Sequence, residues 1–113
     1  MSREFDDYIA NKAAYDRATN TIVRLVEDLR QFAEPILDDW ATCYVEVSGQ
    51  PTPMDMINGR QKVDGSKLPS VADLRNALLT QFNAQKEASQ AWEALSPQEK
   101  AELKTPPWLQ KSR

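Results

Sequence analysis

Any chemistry in this chain would have to come from carboxylates and a single thiol. Its 113 residues include 17 acidic and 14 basic side chains, one cysteine and no histidine. Asp6-Asp7, Glu27-Asp28 and Asp38-Asp39 are adjacent pairs. Neighbours on a helix point about 100° apart, so none of these is an acid–base dyad by spacing. Glu34 and Asp38 are four apart and share a helical face, but a di-iron carboxylate bundle also requires a Glu-x-x-His motif. Cys43 falls on an apolar seam and reads as a small buried hydrophobe rather than a nucleophile. No imidazole is present to activate it or any serine. Gly49, Gly59 and Gly65 are isolated, so no phosphate-cradling loop is formed. The expectation is a non-enzymatic chain with no cofactor and no metal.

The elements that would position these groups are helical. Read in sevens, Phe5, Tyr8, Tyr15, Ile22, Val26, Leu29, Ala33, Ile36, Trp40, Cys43 and Val47 lie on one seam, interrupted by Lys12 and Thr19. That spacing marks a helix packed along its length. Ile9, Val23, Leu25, Phe32, Leu37 and Tyr44 widen the stripe beyond a strict coiled-coil seam, as a helical bundle requires. Ser2 is a suitable cap, with Glu4, Asp6 and Asp7 at the positive helix end. Pro35 falls inside the pattern and costs about 3 kcal/mol unless the helix kinks or restarts in nearly the same direction. Residues 42–47 alternate like a short strand, but no pairing strand presents itself. Helix to Val47, stopped by Gly49 and Pro51, is therefore expected.

Residues 48–69 read as one irregular connection of about 20 residues, longer than a helical hairpin needs. Thr52-Pro53 starts a single helical turn over Met54–Ile57, closed by Asn58-Gly59, and Asp64-Gly65 marks a second turn. Ser70 with Asp73 opens a second long helix over residues 70–95. Its apolar positions are Val71, Leu74, Leu78, Phe82, Trp92 and Leu95, while the middle offers only Ala and Gln. Ser96-Pro97-Gln98-Glu99 opens a short helix ending near Lys104. Thr105-Pro106-Pro107 then forces an extended tail that presents Trp108 and Leu109. The fold class is all-α: a long kinked N-terminal helix packed on a second long helix, with a short C-terminal helix, in a single helical domain over 1–113.

Ala91-Trp-Glu-Ala-Leu-Ser-Pro-Gln-Glu-Lys100 resembles the Trp-x-x-Leu-Ser-x-x-Glu-Lys phrase of HMG-box proteins over ten residues. The phrase chiefly records a helix end followed by a capping box. Elsewhere the chain departs from that family: net charge is −3, and Arg60, Lys62 and Lys67 have no interleaved aromatics. Phosphate neutralisation needs a concentrated basic face, so no nucleic-acid partner is expected. Charge is uneven, from an acidic first 47 residues to a basic last 18.

Leu, Ile, Val and Phe make up 23 of the 113 residues, close to the level at which chains fail to bury a core. A partner would complete so thin a core. The surfaces expected to meet it are Tyr8, Tyr15, Ile22, Trp40, Met54, Met56, Trp92, Trp108 and Leu109, with Trp108 on its Pro-Pro spacer either a pocket-filling anchor or a ring folded back on its own domain. The long helix, whose stretch from Glu4 to Glu34 alone spans about 45 Å, is expected to exceed what its own chain covers. One cysteine, no apolar run of membrane-spanning length and no signal-peptide core suit a cytosolic chain, or one assembled in a cytosol such as a virion component. The function so read is a protein–protein interaction subunit of a homo- or hetero-oligomer, a structural or adaptor component as in a phage-like particle. The alternatives are a small acidic regulator of an enzyme and an accessory subunit of an enzyme complex.

Overall fold

The computed structural model describes residues 2–110, apart from the Lys67 side chain. Helix α1 runs Arg3–Asp39. The Ser2 hydroxyl accepts from the Phe5 amide at 3.0 Å, the N-terminal cap that the sequence announces. Pro35 lies inside α1, so the helix runs past it without a restart. The proline leaves the Gln31 carbonyl without its i+4 donor. A turn later, the Cys43 thiol donates to the Pro35 carbonyl at 3.5 Å.

Helix does not reach Val47. α1 gives way at Asp39, whose carboxylate caps a short 3-10 turn over Trp40–Thr42. Cys43–Glu46 is then strand β1, paired in parallel with β2, Gln61–Asp64, in the register Cys43↔Gln61 to Glu46↔Asp64. The β-branched alternation of 42–47 was a strand signal after all. Its partner carries a single apolar residue, Val63, in Gln-Lys-Val-Asp, which is too little to announce a strand from sequence. Residues 47–60 make the crossover that a parallel pair requires. Within them lies the expected turn, α2, Met54–Ile57, followed by Gly59 at φ 80°. The connection is therefore irregular only in part.

The second long helix, α3, is Val71–Glu93. Its capping box is reciprocal: the Asp73 amide donates to Ser70 Oγ at 3.0 Å, and the Ser70 amide to Asp73 Oδ2 at 3.1 Å. A second box opens α4, Pro97–Glu102, with Ser96 and Glu99 bonded each way and Pro97 in the first turn. The tail after Pro106 is not extended but closes a 3-10 turn over Pro107–Leu109. The fold is thus helical, a long N-terminal helix packed on a second long helix with a short C-terminal one, plus two four-residue strands.

Residues group into two compact units, 1–21 with 75–113, and 22–74. In the first, α1 and α3 run antiparallel, since Tyr8 meets Trp92 while Thr19 Oγ1 accepts from Gln81 Nε2 at 2.7 Å. Small side chains are also buried in these helices: Ala18, Ala77 and Ala88, the last completely. Tyr8, Trp92 and Leu95 form the core here, with Phe5, Ala91, Leu103 and Trp108 packed on it. The second unit holds the rest of α1 and the β1–β2 pair, with Cys43, Tyr44 and Val63 buried. Gly65 passes so close to β1 that a Cβ would lie 3.0 Å from the Glu46 carbonyl and from Val45 Cγ1.

Candidate interaction surfaces

Four of the nine expected contact residues turn inward or against their own chain. Tyr8 and Trp92 are core, with rings 5.3 Å apart and tilted by 57°. Burial of Tyr8, followed by the nearby Asp16 charge, raises its phenol above the ordinary value. Tyr15 and Trp108 meet edge to face at 4.9 Å. Trp108 is half-buried and folds back on its own helices, correcting the picture of a projecting anchor. The prolines set this direction: Pro106 is fully buried and starts the turn that brings the indole back to α1. Its Nε1–H is buried without a hydrogen-bond partner.

The other five divide by exposure. Ile22 is half-buried. Trp40, at 74% exposure, Met54, Met56 and Leu109 stand at the surface. Leu109 shares its short turn with Trp108, but only the tryptophan is drawn in.

The exposed apolar positions of α3 are not among these residues. On α3, Val71 is 83% exposed and Phe82 55%, and Leu78 and Leu79 are exposed as well. At about 100° per residue, Val71, Leu78 and Phe82 fall within about 40° of one another. The buried set Ala77, Ala88 and Trp92 lies roughly 100° away round the same helix. The signal available in the sequence was the helical spacing of Ala77, Gln81, Ala84 and Ala88. A face of small residues admits a neighbouring helix closely, and the bulky positions on the other side are then left out.

α1 has a comparable outer stripe in its second half. Val23 and Val26 are exposed, and Leu37 is 81% exposed. Val26 belongs to the seven-residue seam, but a straight helix drifts about 20° per heptad from a strict repeat. Over several turns the seam therefore rotates off the buried side. Beside this stripe, Arg30 donates to both Glu27 and Glu34, the latter at 2.6 Å. These bonds, with the guanidinium charge, hold Glu27 below the ordinary carboxylate range and raise Arg30.

Concave features occur in both units; in the first, Lys86, Ser89, Gln90 and Glu93 line an opening of about 430 Å³, and the second holds others. A groove of about 230 Å³ is lined by all four β2 residues with Asp28, Gln31, Phe32 and Pro35. A wider depression of about 710 Å³ is formed by the loops after β1 and β2. Cys43 borders an opening with Glu34, Asp38 and Asp39, but its thiol is buried and bonded to the backbone. Among the described residues, no group of three or more Cys, Asp or Glu side chains could hold a metal ion. No helix among them is long and apolar enough to cross a membrane. No family model matches this chain, and no curated protein or solved structure matches it either.

Proposed function

We propose that this chain is a non-enzymatic interaction subunit that buries the outer face of α3 against another protein within a larger assembly. One observation carries the reading: α3 buries Ala77, Ala88 and Trp92 and leaves Val71, Leu78, Leu79 and Phe82 exposed. Contiguous apolar surface of this kind on a soluble chain marks a contact site. The buried thiol and the lack of an internal disulfide fit assembly in a reducing, cytosolic setting.

Light scattering on the purified chain, together with binding of an apolar dye, tests the reading. Self-association at micromolar concentration, or strong dye binding by a folded monomer, is the expected outcome. A sharply folded monomer without dye-accessible surface would refute the reading and favour a small monomeric regulator acting through its acidic helix.

A further inference from the structure

We infer that the open edge of β2 docks an extended, basic peptide segment of another protein, at a surface separate from the outer face of α3. The main chain sets the shape of the occupant. Among the described residues no third strand joins the β1–β2 sheet, and the main chain of residues 61–63 makes no hydrogen bond beyond those to β1. Three of the four β2 residues are exposed. Two strands alone make a marginal sheet, and an edge with unused donors and acceptors is completed by an added strand.

The side chains beside that edge set its charge. In the groove between β2 and α1, Phe32, Pro35 and Val63 supply apolar lining and Asp28 a carboxylate. The groove adjoins the opening bordered by Asp38 and Asp39, since Gln31, Pro35 and Gln61 line both. Together the two are lined by five carboxylates and one cation, Lys62, whose ammonium lies 3.4 Å from Glu46 Oε1. Arg30 close by is bonded to Glu27 and Glu34, and Arg60 donates to the Cys43 carbonyl. Arg24, one turn before Asp28, forms no ion pair with it. The carboxylates of Asp28 and Asp38 are thus left without a hydrogen bond or ion pair among the described residues. These two stand ten positions apart, about 15 Å along α1, close to the roughly 13 Å between residues i and i+4 of an extended chain. Alternate residues of a strand share a face. A segment patterned basic–x–apolar–x–basic therefore brings its charges to Asp28 and Asp38 and its central side chain to Phe32 and Pro35.

Titration of the capped peptide Lys-Thr-Val-Thr-Lys into the isotope-labelled full chain at low salt, followed by amide NMR, tests this. Saturable shifts at the amides of residues 61–64 are expected, and Asp28→Asn with Asp38→Asn should weaken binding about tenfold or more. Both positions are exposed, and thermal unfolding checks that the variant is folded. The same peptide with its three central amides N-methylated keeps its charge but loses its donors, and is expected not to bind; nor is Glu-Thr-Val-Thr-Glu. No shift at residues 61–64, shifts confined to α3, or equal binding by the N-methylated peptide overturns the proposal, the last because it reports attraction to a polycation alone. Unchanged binding by the Asp28→Asn, Asp38→Asn variant overturns it as well. Signals of β2 that move with chain concentration before any peptide is added assign the edge to a second copy and overturn it too. None of these results bears on the outer face of α3, which is read by the dye and light-scattering measurements above.

Discussion

Glu99 holds two helix starts at once. One of its carboxylate oxygens accepts from the Ser96 amide at the start of α4, the other from the Ser2 hydroxyl at the start of α1. The Ser2 hydroxyl is the first cause of the lowered Glu99 pKa, with the Ser96 amide next. A carboxyl lowered in the folded state contributes stability above its ordinary value of 4.5 and loses it as pH falls through the folded value. Glu99→Gln should therefore melt below the natural chain at neutral pH, with the gap closing as the solution is taken below about pH 4.5. Thermal melts between pH 7 and pH 3 check this; a gap independent of pH would show that the charge is not what holds the two caps. Trp108 makes a separate case. Its ring packs on Tyr15 while its N–H has no partner, so ring and donor pull in opposite directions. Trp108→Ala should cost about 2 kcal/mol, less than the loss of a fully buried large aromatic because the residue is only half-buried. Trp108→Phe, which keeps a ring and removes the orphan donor, should cost under about 1 kcal/mol. Chemical denaturation of both variants measures the difference.

At the scale of elements, each packing contact depends on something small. Ala88 is fully enclosed where α3 meets α1. Ala88→Leu should destabilise the first unit by about 1–3 kcal/mol, because a close helix contact has no room for three added carbons. Surface positions on the exposed face of α3 should behave otherwise. Phe82→Glu is expected to change stability by no more than about 0.5 kcal/mol while sharply lowering apolar dye binding. Comparing the two variants separates the face that folds the chain from the face available to a partner. In the second unit, Gly65→Ala would press a methyl against the Glu46 carbonyl and Val45. Hydrogen exchange at β1 and β2 amides should rise in that variant more than at α3 amides, since the clash falls on the strand pair.

For the whole molecule, the notable balance is between core and surface. The buried apolar set is short, nine residues among those described, and two of them, Tyr8 and Trp92, pack their rings 5.3 Å apart. Among the described residues, eight large apolar side chains, Val23, Val26, Leu37, Trp40, Met54, Val71, Leu78 and Phe82, are at least half-exposed. A chain so arranged should gain stability with its own concentration if it self-associates. The melting temperature is then expected to rise over a hundredfold increase in chain concentration. A flat dependence would assign the exposed surface to a different protein.

Sequence by itself determined the local punctuation of this protein. Ser70 with Asp73 and Ser96 with Glu99 start helices where their spacing requires, because a cap is a contact between near neighbours. The turn at Met54–Ile57 and the long amphipathic run of α1 were legible for the same reason: their causes lie within a few residues. Which face would be inside was decided only by tertiary structure. Large side chains pointed to Val71, Leu78 and Phe82 as the core of α3, yet the helices approach on alanine, and that choice depends on the shape of the partner surface. β1 needed Gln61–Asp64 from across a crossover before its alternation could become a strand, since backbone pairing is supplied from a distance. Trp108, written as a projection after two prolines, turned back because Pro106 found a buried seat and Tyr15 offered a ring edge.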